Sequence, residues 1–129
     1  MSRRKSKYPT ELELLILQVL WTQAPLPVRE VRIALEERDR PLAHTSLITT
    51  LNVMVEKGYV ERQQAGRGYE FSPAVSREAV SKGMVGDLVD RLFEGSSKSL
   101  VLSLLDHQKL SAKERTELKN AIDQHRKGK

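Results

Sequence analysis

Short polar side chains gather at helical spacing between residues 44 and 52. This stretch contains His44, Thr45, Ser46, Thr49 and Asn52. Thr45, Thr49 and Asn52 stand at positions i, i+4 and i+7, which lie on one face of a helix. Their hydroxyl and carboxamide groups exchange hydrogen bonds with polar ligands, and no Lys–Glu pairs lace the face. The pattern favours a binding surface, and the alternative is a face that is merely solvated.

The rest of the sequence contains no catalytic or metal-binding pattern. Its 129 residues include no cysteine, which excludes disulfides, thiolate metal sites and a cysteine nucleophile. We find no Ser-His-Asp arrangement, no glycine-rich phosphate loop, no HExxH and no credible pair of catalytic carboxylates. The sequence therefore predicts a protein that is not an enzyme and that holds no metal and no cofactor.

Charge is distributed unevenly along the chain. Lys and Arg number 22 and Asp and Glu 17, which gives a net charge of +5. Residues 1–7 carry four positive charges and residues 125–129 three, so the stretch between them is at −2. No apolar run approaches the roughly 18 residues that span a bilayer, and no secretory signal follows the basic start. We expect a cytoplasmic protein with two basic tails and no membrane insertion.

Two helices are predicted before the polar face. The first begins at a capping box of Thr10 and Glu13. Its apolar residues form two stripes, so it must be covered on two sides. The stripes are Leu12, Leu15, Ile16, Val19 and Leu20, and then Leu14, Leu17 and Trp21. Pro25 and Pro27 end this helix, and Pro27 suits the first turn of a short second one.

A third helix and a hairpin follow. The helix is predicted from about Thr45 to Lys57, with Gly58 just after its end. Residues 59–63 and 68–72 alternate with period 2, and Gly66 and Gly68 can supply the positive φ that a tight hairpin needs. Three helices followed by a hairpin indicate a winged helix-turn-helix.

This order gives the polar face a function. In such folds the third helix lies in the DNA major groove. The hairpin is called the wing, and we expect its tip to follow the DNA backbone or enter the minor groove. Small hydroxyl residues let the helix approach closely. The predicted DNA-binding residues are His44, Thr45, Ser46, Thr49, Asn52 and Arg67. Because the chain between the basic tails is slightly acidic, we expect long-range attraction of DNA from the tails and from local cations such as Arg67 and Lys57. A local capping role is the alternative for His44, and a solvated turn charge is the alternative for Arg67.

Three more helices are predicted after residue 75, and the last of them begins at a capping box of Ser111 and Glu114. Their leucines are too numerous to be buried within one short chain, so pairing of two copies supplies the missing burial. The predicted dimerisation residues are Met84, Leu88, Leu92, Leu100, Leu104, Leu105, Leu118 and Ile122. The chain is thus predicted to be mainly α, with a basic tail over 1–9, a winged helix-turn-helix over 10–74 and a three-helix dimerisation region over 75–126.

Several segments carry a family resemblance. They are Trp21 at the end of the first helix, residues 45–52, 56–58, 66–73, 92–95 and 99–102. In order and spacing they resemble the penicillinase-repressor family of winged-helix regulators, which includes the penicillinase, methicillin-resistance and copper-responsive repressors. The resemblance covers about residues 10–125. It implies a homodimer that represses transcription from a pseudo-palindromic operator, with one recognition helix in each half-site.

The resemblance also implies how repression ends. In the family, a membrane sensor protease that responds to β-lactam cuts the first helix of the dimerisation region, in the best-known case between asparagine and phenylalanine. The matching pair here is Asp87 and Leu88, a departure that leaves the inducing signal open. The absence of cysteine excludes the thiolate copper sensing of the copper-responsive branch.

Two other functions are alternatives. One is a winged-helix regulator released from DNA by a small molecule bound between its two regions. The other is a winged helix used only for protein–protein contact. DNA-binding proteins lose affinity steeply as salt rises, so a steep salt dependence separates both regulators from the protein-contact module.

Overall fold

The computed structural model describes residues 8–107 and 109–127, and most of them are helical. The helical content confirms the predicted fold class, which was mainly α. The elements are α1 (Glu11–Gln23), β1 (Leu26–Pro27), α2 (Val28–Glu37), α3 (His44–Lys57), β2 (Val60–Ala65), β3 (Gly68–Pro73), α4 (Arg77–Leu92), α5 (Ser97–His107) and α6 (Ala112–Lys127). Residues 1–7 of the predicted basic tail lie outside the described residues, as do residues 128–129.

The start of α1 has the predicted capping box. The Thr10 amide donates to Glu13 Oε1 at 2.8 Å, and the Glu13 amide donates to Thr10 Oγ1 at 3.2 Å. Two of the free N–H groups at the helix start are thereby satisfied.

The apolar core of the first part of the chain forms where α1, α2, α3 and the sheet meet. Both stripes of α1 contribute, as predicted, because Ile16 and Leu17 are fully buried on different sides of the helix. The largest fully buried side chains are Ile16, Leu17, Val19, Leu20, Val31, Leu35, Leu47, Leu51 and Met54. Val60 and Phe71 extend this core into the sheet.

The sheet has three strands in the order β1-β3-β2, whereas the sequence predicted only a hairpin. Leu26 pairs with Phe71 and Pro27 with Glu70, both antiparallel. The two-residue strand was missed because it is too short for any alternation to be visible. Pro27 was expected inside the first turn of α2, but it lies in β1 and forms the N-cap of α2. An edge strand tolerates proline, which has no N–H to donate.

A two-residue turn of Gly66 and Arg67 closes the hairpin, since Ala65 pairs directly with Gly68. Gly66 has φ +60°, but Gly68 is not in the positive-φ region, so the expectation of two such glycines was wrong at Gly68. A positive φ at only the first central residue matches the II′ hairpin turn.

The chain divides into two compact units, Met1–Met84 and Val85–Lys129, with the division inside α4. In the first unit, Trp21 Nε1 donates to the Val75 carbonyl at 2.9 Å, and the Arg77 guanidinium lies 5.2 Å from the Trp21 ring centroid. These contacts fix the chain after β3 against α1.

The C-terminal helices begin at serine caps. Ser76 Oγ accepts from the Ala79 amide before α4, and Ser96 Oγ accepts from the Ser99 amide before α5. The predicted capping box before α6 is confirmed, because Ser111 and Glu114 exchange side-chain-to-amide hydrogen bonds at 3.0 and 3.1 Å. Among the described residues, no helix is both long and apolar enough to cross a membrane.

Candidate nucleic-acid interface

The exposed face of α3 is set by its buried face. Leu47, Leu51 and Met54 are fully buried in the core, so the opposite side of the helix points outward. All five residues predicted there are exposed: His44, Thr45, Ser46, Thr49 and Asn52. Together they form what we call the α3 polar face. The helix starts at His44, one residue earlier than predicted, after an N-cap alanine that makes no side-chain bond.

The hydroxyl of Thr49 is turned back onto its own helix. Its Oγ1 donates to the Thr45 carbonyl at 3.0 Å, and Thr50 Oγ1 donates to the Ser46 carbonyl at 2.9 Å. Since the hydroxyl proton of Thr49 is already used, this side chain offers a ligand its methyl group and an oxygen acceptor.

Arg67 occupies the tip of the wing. It is the second central residue of the hairpin turn and is exposed, as the sequence predicted. The neighbouring glycines, Gly66 and Gly68, are also exposed. A ligand backbone can therefore approach the turn closely beside this positive charge.

Arg62 is a candidate interface residue that was not predicted from the sequence. It lies on β2, and its Nη1 donates to Asn52 Oδ1 on α3 at 3.0 Å. Its guanidinium also stacks over Tyr69 on β3, with Cζ 5.1 Å from the ring centroid. The strand period could have found it, because Arg62 lies on the same face of β2 as the buried Val60. The α3 polar face and the wing are thus joined in one surface.

Lys57 does not belong to this surface. The sequence suggested that Lys57 would help to attract DNA, but its Nζ lies 2.8 Å from Oε2 of Glu13 and its side chain is 19% exposed. Glu13 is the buried charged residue of the described core. Tyr59 lies beside the pair, and burial raises the pKa of its phenol, with the Glu13 carboxylate adding to the rise. Lys57 therefore anchors α3 and contributes little free positive charge.

The predicted dimerisation residues lie on the C-terminal helices with much apolar surface accessible in the single chain. Leu92 is 65% exposed and Ile122 62%. Leu88, Leu104, Leu105 and Leu118 are also exposed, and Met84 and Leu100 are half-buried. Contiguous exposed apolar patches mark contact surfaces in other proteins, and these side chains are the candidates for such a surface here.

The predicted cleavage pair lies inside α4. Asp87 is half-buried and lies 3.7 Å from Arg91 Nη1, one helical turn later, while Leu88 is exposed. Two glycines precede the pair in the same helix, Gly83 and Gly86. Within the part of the chain that the structure describes, no group of three or more His, Asp or Glu residues could hold a metal ion.

Three helices, a polar third helix and a two-stranded wing define the winged helix-turn-helix class. The chain belongs to the penicillinase repressor family, whose sequence profile matches residues 9–124. It is 23% identical over 120 residues to a penicillinase repressor of Bacillus licheniformis, covering 93% of each chain. It is also 28% identical over 93 residues to the transcriptional regulator BlaI of Mycobacterium tuberculosis, covering 71% of this chain and 67% of that protein. The resemblance seen in the sequence is thus confirmed.

Proposed function

We propose that the chain is a homodimeric transcriptional repressor that binds a pseudo-palindromic operator, with one α3 in each half-site. One observation carries the DNA-binding part. The hydrogen bond between Arg62 and Asn52 joins the wing to the α3 polar face, so both can meet one duplex together. Membership of the penicillinase repressor family supports the same function.

The roles of the side chains follow from their positions. A major groove about 12 Å wide admits a helix, and the short side chains of Thr45, Ser46 and Thr49 let the α3 axis approach the base edges. His44 opens the helix, where the first exposed residues reach the bases. Arg67 at the wing tip and Arg62 beside α3 supply the phosphate contacts, because a guanidinium retains its charge and binds phosphate with a planar fork.

The exposed apolar side chains of the second unit support the homodimer. Burying one leucine contributes roughly 1.5–3 kcal/mol. Leu104, Leu105, Leu118 and Ile122 are each exposed by 44% or more in the single chain. A twofold pair can bury such a surface against itself, and a twofold dimer matches the symmetry of two half-sites.

Release from the operator follows, in this proposal, from cleavage at Asp87 and Leu88 by a membrane sensor protease. Glycine inside a helix costs about 1 kcal/mol relative to alanine, and Gly83 and Gly86 lie just before this pair. Local unwinding of α4, which exposes the peptide bond, is therefore comparatively cheap there. Cleavage would separate residues 1–87 from most of the proposed dimerisation residues, and each half-site would then be bound by a monomer.

Selection of genomic DNA fragments by the full chain tests this function. We expect enrichment of a motif with two inverted half-sites whose centres are about 10 base pairs apart or a multiple of that. Binding to the motif should weaken steeply with salt. A chain that enriches no motif and binds DNA without salt dependence would instead be a module for protein contact.

A further inference from the structure

The carboxamide of Asn52 is held by the wing. Its Oδ1 accepts a hydrogen bond from Arg62 Nη1 at 3.0 Å, and the Arg62 guanidinium is itself stacked over the Tyr69 ring. A planar guanidinium with an aromatic ring on one side and a hydrogen bond at its edge has a defined orientation. The Asn52 side chain therefore has a defined orientation as well.

This arrangement changes what Asn52 can offer a base. A carboxamide has one oxygen acceptor and one amino group with two donors. Asparagine recognises adenine by using both, since its amino group donates to N7 and its oxygen accepts from the N6 amino group. In this protein the oxygen is directed to Arg62, which occupies one of its two lone pairs. The amino group, with both hydrogens free of described partners, is the part of Asn52 that is more available to the DNA.

Guanine matches a pure donor better than adenine does. Its major-groove edge presents two adjacent acceptors, N7 and O6, whereas adenine presents one acceptor beside a donor. The adenine N6 group is itself a donor, so it repels the amino group of Asn52. This repulsion is relieved only when the oxygen of Asn52 accepts a hydrogen bond from N6. The charge-assisted hydrogen bond from Arg62 occupies one of the two lone pairs of that oxygen and holds it toward the wing, which makes it a weaker acceptor for the N6 group.

We propose that Arg62 is a specificity-determining residue, which makes Asn52 a hydrogen-bond donor and thereby favours guanine over adenine at the base pair that faces Asn52. The inference rests on the proposed function, because it needs α3 in the major groove. It adds the base preference and the residue that sets it. Arg62 acts here through Asn52, apart from any phosphate contact of its own.

Selection from a randomised duplex library tests the proposal with the full-length protein and four variants. Asn52→Ala identifies the base pair that Asn52 contacts, because preference is lost there. Arg62→Met removes the hold on Asn52, and Arg62→Lys keeps the charge without the planar fork. Arg67→Met is the matched control, because it removes a wing charge that has no contact with Asn52 among the described hydrogen bonds. Arg62 is exposed, and circular dichroism checks that each variant folds.

The expected result is a change of base preference that tracks Arg62. The natural chain should prefer guanine over adenine by at least about fivefold at the Asn52 position, as one good contact to a base edge gives. Both Arg62 variants should lose that preference or shift it to adenine. Arg67→Met should lower affinity for all sequences and leave the preferred bases unchanged.

Three results would overturn the inference while leaving DNA binding intact. The first is an Asn52→Ala variant that relaxes no base pair. The second is a natural chain without a guanine preference at that position. The third is a guanine preference that survives Arg62→Met. A natural chain that enriches no motif at all would overturn the proposed function itself, so the two failures are distinguishable.

Discussion

The Nζ atom of Lys57 lies 2.8 Å from Oε2 of Glu13, which ties the last residue of α3 to the first turn of α1. Both side chains are shielded from solvent, with exposed fractions of 19% and 4%. Glu13 also accepts the Thr10 amide in the capping box. The end of the proposed recognition helix is therefore anchored to the element that begins the fold.

We expect Lys57→Met to destabilise the protein by about 3 kcal/mol, because it leaves the Glu13 carboxylate buried without its partner. Urea unfolding measures the change. The double variant Glu13→Gln with Lys57→Met should recover part of the loss, and Lys82→Met, at an exposed lysine of α4, should have little effect. A Lys57 variant of normal stability with a smaller salt slope of DNA binding would show instead that Lys57 contacts phosphate.

Thr49 should contribute to operator binding through its methyl group. Its hydroxyl proton is donated to the Thr45 carbonyl, so Thr49→Val keeps the shape and the methyl and should bind nearly normally. Thr49→Ala should weaken operator binding by about tenfold, the effect of one lost base contact, and non-specific binding much less. Titration of labelled operator and scrambled duplexes measures both affinities.

Thr116→Ala is the matched control for Thr49, because Thr116 Oγ1 donates to the Ala112 carbonyl in α6 in the same way. This variant should bind the operator normally. Equal losses for Thr49→Ala and Thr49→Val would mean that the hydroxyl oxygen, as an acceptor, makes the contact.

Gly86→Ala should stabilise α4 and protect the proposed cleavage pair. A Cβ atom at Gly86 would meet no other atom within 4 Å, so the helix gains about 0.5–1 kcal/mol without a clash. Thermolysin, which cuts before large apolar residues, should cleave before Leu88 about threefold more slowly, with the fragments identified by mass spectrometry.

Gly83→Ala serves as the comparison for Gly86→Ala. A Cβ atom at Gly83 would lie 3.1 Å from Cε1 of Tyr8, so the helix gain should be smaller or absent. If Gly86→Ala is cut as fast as the natural chain, cleavage at this pair does not proceed through unwinding of α4.

Leu104→Asp should convert the proposed dimer to monomers. Leu104 is 51% exposed in the single chain, so the substitution leaves the fold of each chain intact but places a charge in the proposed apolar interface. Sedimentation velocity measures the oligomeric state. Lys113→Asp, at an exposed position of α6, is the control and should remain dimeric. A Leu104→Asp protein that sediments as a dimer would remove this helix from the interface.

The periodic elements could be predicted from the sequence because their signals are local. The capping boxes at Thr10 and Ser111, the buried stripes of α1 and the outward face of α3 depend on residues within a few turns of one another. The features that were missed depend on contacts between distant residues. β1 exists because Leu26 meets Phe71, which lies 45 positions later, and two residues show no pattern of their own.

The candidate site divides in the same way. Exposure of Thr45, Thr49 and Asn52 follows from helix geometry, and these positions agree with the structure. The roles of the charges were harder to assign, because Lys57 and Arg62 each follow a glutamate in the sequence and the strand period places Arg62 on a face of β2 without identifying its partners. Only the fold reveals that Lys57 pairs with the buried Glu13, whereas Arg62 lies between Asn52 and Tyr69 on the outer surface.

The central proposal is that two chains bind one operator through α3. The most direct measurement is the stoichiometry and affinity of the full chain on the selected duplex, compared with a duplex in which one half-site is scrambled. We predict two chains per duplex and a loss of affinity of at least about a hundredfold when one half-site is scrambled, because several base contacts of about 1–3 kcal/mol each disappear together. A single chain bound per duplex, or equal affinity for both duplexes, would contradict the proposal.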